Sequence, residues 1–271
     1  MSSRAAIAAE PFVGLAGDWH GDSAWAGWAI EAFAAEGLRT VHHLGDFGFW
    51  TGARGQAYLA AVDQACATTG ITLTVTPGNH EDYGLIAGLA WGTHPSLARV
   101  QLVTDRLVVL PRGHRWRTTG SNLVRSFVSL GGAPSVDLEG RIPGVSWWAQ
   151  EAITDVDVEL TAAGGHADVM LTHDSPSPGT PAVEAIIAGN PMGWSPNALE
   201  YAAAGRGRLT TAYEAVRPTL LVHGHYPVRD EVRLEHPSGA AAHIVSLDCE
   251  RTAGNLAVLD VDALEVRFLD A

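Results

Sequence analysis

Short polar blocks rich in aspartate, asparagine and histidine recur along the 271-residue chain, and each follows an apolar run. Carboxylate, imidazole and amide oxygen are ligand types that two neighbouring divalent cations need, with one oxygen ligand bridging the ions. The side chains that supply this set are Asp18, His20, Asp46, Asn79, His173, His223 and His225. The chemistry typical of such a centre is the activation of water for hydrolysis of a phosphate ester. The sequence therefore predicts a two-metal phosphoesterase site.

Each of these blocks, taken alone, has an ordinary structural explanation. An Asp-x-His pair such as Asp18 and His20 is more often part of a capped turn, and a Gly-Asp pair after a strand is a common turn signal. A single histidine such as His173 is usually a core residue with satisfied ring nitrogens. The metal interpretation depends on the conjunction of five blocks, each placed after an apolar run.

The elements that must position these blocks follow a repeated pattern of strand, loop and helix. The first apolar run reads as a buried strand, and a helical apolar repeat follows it, with Asp22 or Ser23 as N-cap and Gly37 as the stop. Apolar runs at 40–44 and 71–77 predict the next two strands. Because loops at the carboxyl ends of such strands converge, we expect their polar residues to lie together.

The remaining chain continues the sheet pattern around one irregular region. Residues 94–159 contain short strand-like pieces broken by proline and glycine, which predicts sheet plus a surface insertion and not a second domain. The tail after residue 241 reads as an antiparallel meander. With 46% hydrophobic residues, the chain can bury a substantial core, so we predict a single domain over residues 1–271.

The ordered blocks resemble those of the calcineurin-like metallophosphoesterase superfamily, and the resemblance covers about residues 12 to 260. The blocks stand here as Gly17-Asp18-Trp19-His20, Gly45-Asp46, Gly78-Asn79-His80-Glu81, Thr172-His173 and His223-Gly224-His225. The resemblance implies an α/β fold, a four-layer αββα sandwich in which two mixed β-sheets face each other and helices cover the outside. It places the metals where the carboxyl ends of the strands meet.

The resemblance also implies a role for each residue of the blocks. It assigns the first metal to Asp18, His20 and His225, the second metal to Asn79, His173 and His223, and the bridging position to Asp46. A hydroxide activated by both cations would attack phosphorus in line, and His80 would be the general acid for the leaving oxygen. Asp174 or Asp22 could hold the tautomer of a ligand histidine. Mn²⁺, Fe and Zn²⁺ all suit this ligand set.

The Gly-Asp block departs from the protein serine/threonine phosphatases of the superfamily. Their GDxxDRG motif carries an aspartate that orients the catalytic histidine and an arginine that grips phosphate, whereas Phe49 and Trp50 occupy those places here. The departure disfavours a protein phosphatase and slightly favours a phosphodiester over a phosphomonoester substrate. Arg54, Arg125 or Arg141 could reach the phosphate, although a solvated surface position is the commoner reading for each.

Aromatic residues near the blocks could frame an apolar or base-stacking pocket beside the metals. They are Trp19, Phe47, Phe49, Trp50, Trp147 and Trp148. Such a pocket would suit nucleoside or aryl phosphoesters. Against this, aromatic residues beside a strand end are more often part of the core.

Charge narrows the function classes. Thirty acidic residues against 17 basic ones give a formal net charge of −13, so long nucleic acids are disfavoured as partners. Two bound dications would reverse the local field, and a small phosphoester, nucleotides included, is the predicted partner. One alternative is a nuclease of the same superfamily, which the charge disfavours. Another is a non-catalytic metal-binding scaffold, which the complete ligand set disfavours.

Other features predict a soluble, cytoplasmic protein without a membrane partner. The chain has no run of eighteen apolar residues, and the apolar stretch after the first methionine is too short for a signal peptide. The two cysteines, Cys66 and Cys249, lie outside any disulfide framework or zinc-knuckle spacing. The sequence does not predict an oligomeric state.

Overall fold

The structure is a computed structural model that describes residues 9–235, 239 and 241–270. Residues 1–8, on which the signal-peptide prediction rests, lie outside the described residues. The strands are β1 (Phe12–Ala16), β2 (Thr40–His43), β3 (Thr72–Val75), β4 (Ala90–His94), β5 (Ala98–Leu102), β6 (Leu107–Val109), β7 (His114–Thr119), β8 (Val124–Leu130), β9 (Val169–Thr172), β10 (Leu220–His223), β11 (Asp230–Glu235), β12 (Ala241–Ser246), β13 (Leu256–Asp260) and β14 (Glu265–Phe268).

The helices are α1 (Ser23–Ala35), α2 (Gly52–Thr69), α3 (Tyr83–Ala87), α4 (Asp155–Ala163), α5 (Pro181–Gly189) and α6 (Pro196–Val216). Short 3₁₀ turns lie at Leu138–Gly140 and Ala149–Glu151. Among the described helices, none combines the length and the apolar character that crossing a membrane requires.

The described strands form two mixed sheets. The large sheet has the order β14-β13-β1-β2-β3-β6-β5-β4, and the small sheet has the order β11-β12-β10-β9-β8-β7. The central strands are parallel in both, namely β1, β2, β3 and β6 in the large sheet and β12, β10, β9 and β8 in the small sheet. Antiparallel strands flank them. The predicted pair of mixed sheets is confirmed.

Apolar clusters fill the interfaces between four layers. One cluster joins the large sheet to α1 and α2 through residues such as Phe33 and Val62. A second lies between the sheets, where Leu15 and Phe127 are fully buried, and a third joins the small sheet to α6 through Leu209. Each fully buried side chain of this kind stabilises the fold by about 1.5 to 3 kcal/mol. The predicted α/β fold, a four-layer αββα sandwich, is confirmed.

The first helix begins and ends where the sequence predicts. The Asp22 carboxylate accepts the backbone N–H groups of Ala24 and Trp25 at 3.1 and 3.0 Å, and it therefore caps α1. The helix ends at Ala35, and Gly37 follows with a left-handed φ of 78°. Both ends of α1 are thus set by local signals in the sequence.

Two parts of the chain run differently from the simplest reading of the sequence. Residues 98–130 contribute strands to both sheets, while 131–153 contains only the short turns. The predicted antiparallel meander in the tail is wrong in part, because β12 lies in the small sheet parallel to β10, whereas β13 and β14 pair in the large sheet. A change of sheet between consecutive strands leaves no mark on apolar periodicity.

A buried amide joins the loop after β1 to the start of β13. Asn255 is fully buried, and its Oδ1 atom accepts the indole N–H groups of Trp19 and Trp25 at 3.1 and 2.8 Å. Its Nδ2 atom donates to the backbone oxygens of Asp18 and Asp248 at 3.1 and 2.7 Å. The side chain therefore has all of its polar groups satisfied while it holds the first site loop in place.

Candidate metal centre

The seven predicted ligands lie at the carboxyl ends of central parallel strands, where open α/β sheets bind ligands. Asp18 and His20 follow β1, Asp46 follows β2, Asn79 follows β3, His173 follows β9, His223 ends β10, and His225 comes two residues later. The strands belong to both sheets, so the ligands meet where the two sheets face each other.

The carboxylate of Asp46 lies at the middle of this group. Its Oδ2 atom is 3.5 Å from Nε2 of His20 and 3.9 Å from Nε2 of His80, and its Oδ1 atom is 3.3 Å from Nε2 of His173. Among the residues that the structure describes, two groups of three side chains could each hold a cation, and Asp46 belongs to both of them. They are His20, Asp46 and His80, and Asp46, His173 and His225. In this grouping His80 could be a ligand of the first cation. The resemblance instead assigns the ligand positions to the other residues.

The remaining predicted ligands surround this core. Asp18 Oδ1 accepts the backbone N–H of His225 at 3.2 Å and lies 3.9 Å from Nδ1 of His173. Asn79 Oδ1 is 3.0 Å from Nε2 of His173. His223 is fully buried, and its Nδ1 atom is 2.8 Å from the carbonyl oxygen of Gly224.

The buried ring of His223 tests whether these residues fit metal ions. An N–H at Nδ1 satisfies the Gly224 carbonyl and leaves the lone pair on Nε2, which has no hydrogen-bond partner among the described residues. A buried nitrogen without a partner costs about 1 to 3 kcal/mol unless a ligand engages it. Together with the carboxylates and the Asn79 amide, this donor set fits two divalent cations.

Close approach of the backbone explains two of the glycines in the blocks. A Cβ atom at Gly78 would lie 2.2 Å from Asp46 Oδ1, and a Cβ atom at Gly224 would lie 2.3 Å from Asp18 Oδ1. Either distance is a steric clash, so a side chain at either position would displace a carboxylate from the centre. The spacing of GNH and HGH thus follows from packing against the ligands.

The ligand loops hold an uncommon backbone conformation. His20, Asp46 and His225 have φ angles of 42°, 51° and 67°, in the left-handed region that residues with a Cβ atom rarely adopt. Such residues persist only where the surrounding structure holds them, and they cluster at functional sites.

Solved structures with a similar fold identify the fold of this chain. No protein-family model matches the sequence, and no curated protein matches it. A dimetal phosphatase from Danio rerio has a TM-score of 0.53 at 12% identity, covering 93% of this chain and 92% of that one. The TT1561 protein of Thermus thermophilus has a TM-score of 0.53 at 11% identity, covering 96% of this chain and 99% of that one. The chain has the calcineurin-like metallophosphoesterase fold.

Within this metallophosphoesterase fold, the groups that orient the histidines are different from those predicted. Nδ1 of His20 lies 2.8 Å from Glu250 Oε2, and Nδ1 of His173 lies 2.7 Å from the Leu44 carbonyl oxygen. The prediction that Asp22 or Asp174 has this role is wrong. Asp22 caps α1 and pairs with Arg251, and Asp174 accepts the N–H of Ser175. Glu250 follows β12, and its position after a strand was the signal that could have found it.

A chain of hydrogen bonds orients the amide of Asn79. Its Nδ2 atom donates to Ser135 Oγ at 3.0 Å, and Ser135 donates to Glu151 Oε2 at 2.6 Å. The backbone N–H of Ser135 and the hydroxyl of Tyr201 donate to the other oxygen of Glu151. Because Nδ2 is engaged by Ser135, Oδ1 of Asn79 is the amide atom that faces His173. No motif in the sequence indicates Ser135 or Glu151.

Glu81 fixes the Gly-Asp block. Its buried carboxylate accepts the backbone N–H groups of Phe47, Gly48 and Phe49 at 2.7, 3.1 and 2.8 Å. Burial raises the pKa of Glu81, and these hydrogen bonds oppose that shift. The residue therefore orients the loop that carries Asp46.

The three arginines that were predicted as candidates for phosphate binding lie in different parts of the structure. Arg141 Nη2 lies 2.8 Å from Nδ1 and 2.7 Å from Nε2 of His80, so Arg141 stands at the centre. Arg54 lies over the ring of Trp50 at 5.2 Å, and Arg125 pairs with Asp168 at 3.4 Å. Sequence reasoning named Arg141 among three candidates, and the structure brings only this one against His80.

The predicted aromatic pocket is confirmed for Trp50 and Trp148 and is wrong for Trp19, Phe47 and Phe49. Trp19, Phe47 and Phe49 are fully buried core residues, with Trp19 and Phe47 packed around the buried ring of His43. A pocket of about 300 Å³ beside His80 is instead lined by Trp50, Trp148 and Arg141, with other residues from the same loops. Phe47 and Phe49 pack in the cluster that joins the large sheet to its helices, whereas Trp50 of the same loop lines the pocket.

Burial and mutual attraction set the charges of the centre. Burial raises the pKa of Asp18 to about 7. Burial also disfavours ionised Asp46, but His173, His80 and His20 together outweigh it and hold the pKa of Asp46 well below the usual value. Burial disfavours the charged ring of His20, but Asp46 and Glu250 raise its pKa to about 11. Asp46 likewise raises the pKa of His173 to about 9 against the effect of burial. A cation has to displace these protons, so metal affinity is expected to fall as the pH falls.

Proposed function

We propose that the chain is a metal-dependent phosphoesterase that hydrolyses a small phosphodiester or phosphomonoester. The cations would be held by Asp18, His20, Asp46, Asn79, His173, His223 and His225. The observation that carries the proposal is that Asp46 belongs to both side-chain groups that could hold a cation. A carboxylate shared by two ligand groups can bridge the two cations of a two-metal centre. The fold shared with the dimetal phosphatase from Danio rerio supports the same function.

The residues of the chain have separate tasks in this proposal. When bound, the cations would activate water for attack on phosphorus and offset the charge of the phosphate oxygens. His80 would protonate the leaving oxygen, since it lies between Asp46 and the pocket beside the centre. Burial lowers the pKa of His80, Asp46 opposes this shift, and Arg141 adds to it. The guanidinium of Arg141 would keep a permanent positive charge at the same edge.

The alternatives receive less support. A nuclease would need a wide basic surface, and the net charge of −13 disfavours one. A non-catalytic scaffold is disfavoured because none of the expected metal ligands is missing from the sequence. A phosphodiester remains ahead of a phosphomonoester because the Gly-Asp block has no arginine. Arg141 supplies a positive charge from another loop, which makes the monoester a close second.

Hydrolysis of model esters tests the proposal. Chelator-stripped protein would be assayed with bis-nitrophenyl phosphate and mono-nitrophenyl phosphate, with and without added Mn²⁺ or Zn²⁺. We expect turnover that requires a divalent cation and is faster on the diester. Faster turnover of the monoester would make the protein a phosphatase. Bound metal with no turnover on any ester would refute the proposal and favour the scaffold.

Substitution of the proposed bridging carboxylate is a second test, and an exposed aspartate supplies its control. Asp46→Asn is expected to lower metal occupancy and rate together, each by roughly 100-fold or more, because even groups that only support a ligand are worth about 10- to 100-fold. Asp105→Asn, an exposed aspartate in the turn before β6, should change neither. Full metal occupancy with normal turnover in Asp46→Asn would exclude Asp46 as the bridge.

A further inference from the structure

The pocket beside His80 is defined by two indole rings and a guanidinium. Trp50, Trp148 and Arg141 line it, and its volume of about 300 Å³ lies at the lower end of the range for small-molecule sites. His80 is in the same lining and lies 3.9 Å from Asp46, so the pocket opens directly beside the candidate metal centre. If a phosphate is bound at the metal centre, a group attached to that phosphate would lie next to this pocket.

The walls of the pocket are held in place by hydrogen bonds of the protein itself. Trp50 donates its indole N–H to the carbonyl oxygen of His80 at 2.9 Å, and Arg54 covers one face of its ring. On the opposite wall, Arg141 pairs with Asp137 at 2.8 Å. The backbone N–H of Ile142 donates to Ser146 Oγ at 2.9 Å and closes the turn that leads to Trp148. The pocket is therefore preformed, which reduces the entropy lost when a ligand binds.

The chemistry of the lining selects a flat, uncharged group. Indole faces stack on aromatic rings, and such stacking is worth about 1 to 3 kcal/mol per ring. Val145 adds an apolar surface, whereas the carboxylate of Asp82 disfavours a second anionic group on the ligand. A volume of this size holds one ring system and not a long chain.

We infer that the pocket formed by Trp50, Trp148 and Arg141 binds an aromatic ring of the substrate, so that the substrate class is a phosphoester with an uncharged aryl or heteroaryl group. The inference rests on the proposed function, because it places the phosphate at the metal centre. The guanidinium of Arg141 would lie between the phosphate and the aromatic ring of the bound substrate.

Binding of stable phosphonates to Mn²⁺-loaded protein tests this inference without turnover. Isothermal titration calorimetry would compare benzylphosphonate, cyclohexylmethylphosphonate and methylphosphonate, in which a carbon atom replaces the ester oxygen. We expect benzylphosphonate to bind about tenfold more tightly than the other two, since tenfold corresponds to about 1.4 kcal/mol. Trp148→Ala should remove this preference and leave methylphosphonate affinity unchanged, and Trp148→Phe should retain it.

The control is Trp91→Ala, which removes an exposed tryptophan on the edge strand β4 and should alter none of the three affinities. Equal affinity for the benzyl and cyclohexyl compounds would overturn the aromatic preference. Equal weakening of all three phosphonates in Trp148→Ala would assign Trp148 a structural role and overturn the inference as well. If the wild-type protein preferred benzylphosphonate as expected but hydrolysed no ester, only the proposed function would be refuted.

Discussion

Nδ1 of His20 lies 2.8 Å from a carboxylate oxygen of Glu250, a residue 230 positions further along the chain. The contact leaves Nε2 of the same ring facing Asp46 at 3.5 Å. A carboxylate that engages one ring nitrogen fixes the tautomer and increases the basicity of the other nitrogen. Glu250 therefore prepares His20 to act as a ligand, although it lies outside every sequence block.

Glu250→Gln is expected to weaken metal binding about 10- to 100-fold, because the neutral amide lacks the negative charge that increases the basicity of Nε2 of His20. Calorimetric titration with Mn²⁺ or Zn²⁺ measures the effect. Glu231→Gln is the matched control, since Glu231 contacts Nε2 of His243 at the same distance of 2.8 Å on strands β11 and β12. Equal losses in the two variants would contradict a specific role for Glu250.

His80→Ala is expected to retain metal binding, because the seven proposed ligands remain. It should slow hydrolysis of esters with poor leaving groups by about 10²- to 10⁴-fold. Esters with good leaving groups should slow much less, because they leave without a proton. A series of aryl phosphoesters with graded leaving groups measures the dependence, and His94→Ala, on the edge strand β4, is the control. An equal effect across the series would exclude His80 as the acid.

Ser135→Ala is expected to lower metal affinity about tenfold, because the Asn79 amide loses the partner that sets its orientation. Ser129→Ala removes another fully buried hydroxyl, which contacts Thr76 at 2.9 Å, and should affect stability without a comparable loss of metal affinity. Metal titration together with chemical unfolding separates the two effects. A loss of stability alone in Ser135→Ala would limit this residue to a structural role.

Asp168→Asn is expected to destabilise the fold by about 1.5 kcal/mol at neutral pH, since hydrogen bonds to a charged group are lost. Asp168 accepts both the backbone N–H and the hydroxyl of Ser126, at 2.7 and 2.6 Å. Burial opposes ionisation, but the Ser126 hydrogen bonds and Arg125 outweigh it and lower the pKa of Asp168. Unfolding by guanidinium at several pH values measures the difference.

The sign of the pH dependence follows from that lowered pKa. The stabilisation from ionised Asp168 is present above the unfolded-state pKa of about 3.9 and is lost as the pH falls through the lower folded-state value. Wild type and Asp168→Asn should therefore converge in stability below about pH 4. A constant difference down to pH 2 would contradict the linkage. Asp105→Asn, at an exposed position, should match wild type throughout.

The sequence predicts those parts of the site that depend on local order along the chain. Asp22 caps α1, and the polar residues after β1, β2 and β3 lie together because parallel strands end at one edge. Apolar runs identified these strands because both faces of a central strand are covered. Local signals thus suffice for a loop that is positioned by its own strand.

The contacts that escaped prediction join distant segments. Ser135 and Glu151 reach Asn79 from a region without regular strands or helices, and Glu250 reaches His20 across the fold. Such contacts depend on tertiary packing and leave no periodic signal. The aromatic prediction failed for Phe47 for a related reason, since the face on which this residue packs is set by the helix layer above it.

The buried amide of Asn255 also bears on how the protein is made. It holds the indoles of Trp19 and Trp25 and the backbone of Asp18, so the first ligand loop receives its support from a residue 236 positions after Trp19. During translation, the ribosome releases that loop long before residue 255 emerges. Because the contact joins segments so far apart in sequence, its formation is slow relative to local helix formation. On a growing chain, the centre can therefore reach its final geometry only after residue 255 has emerged from the ribosome.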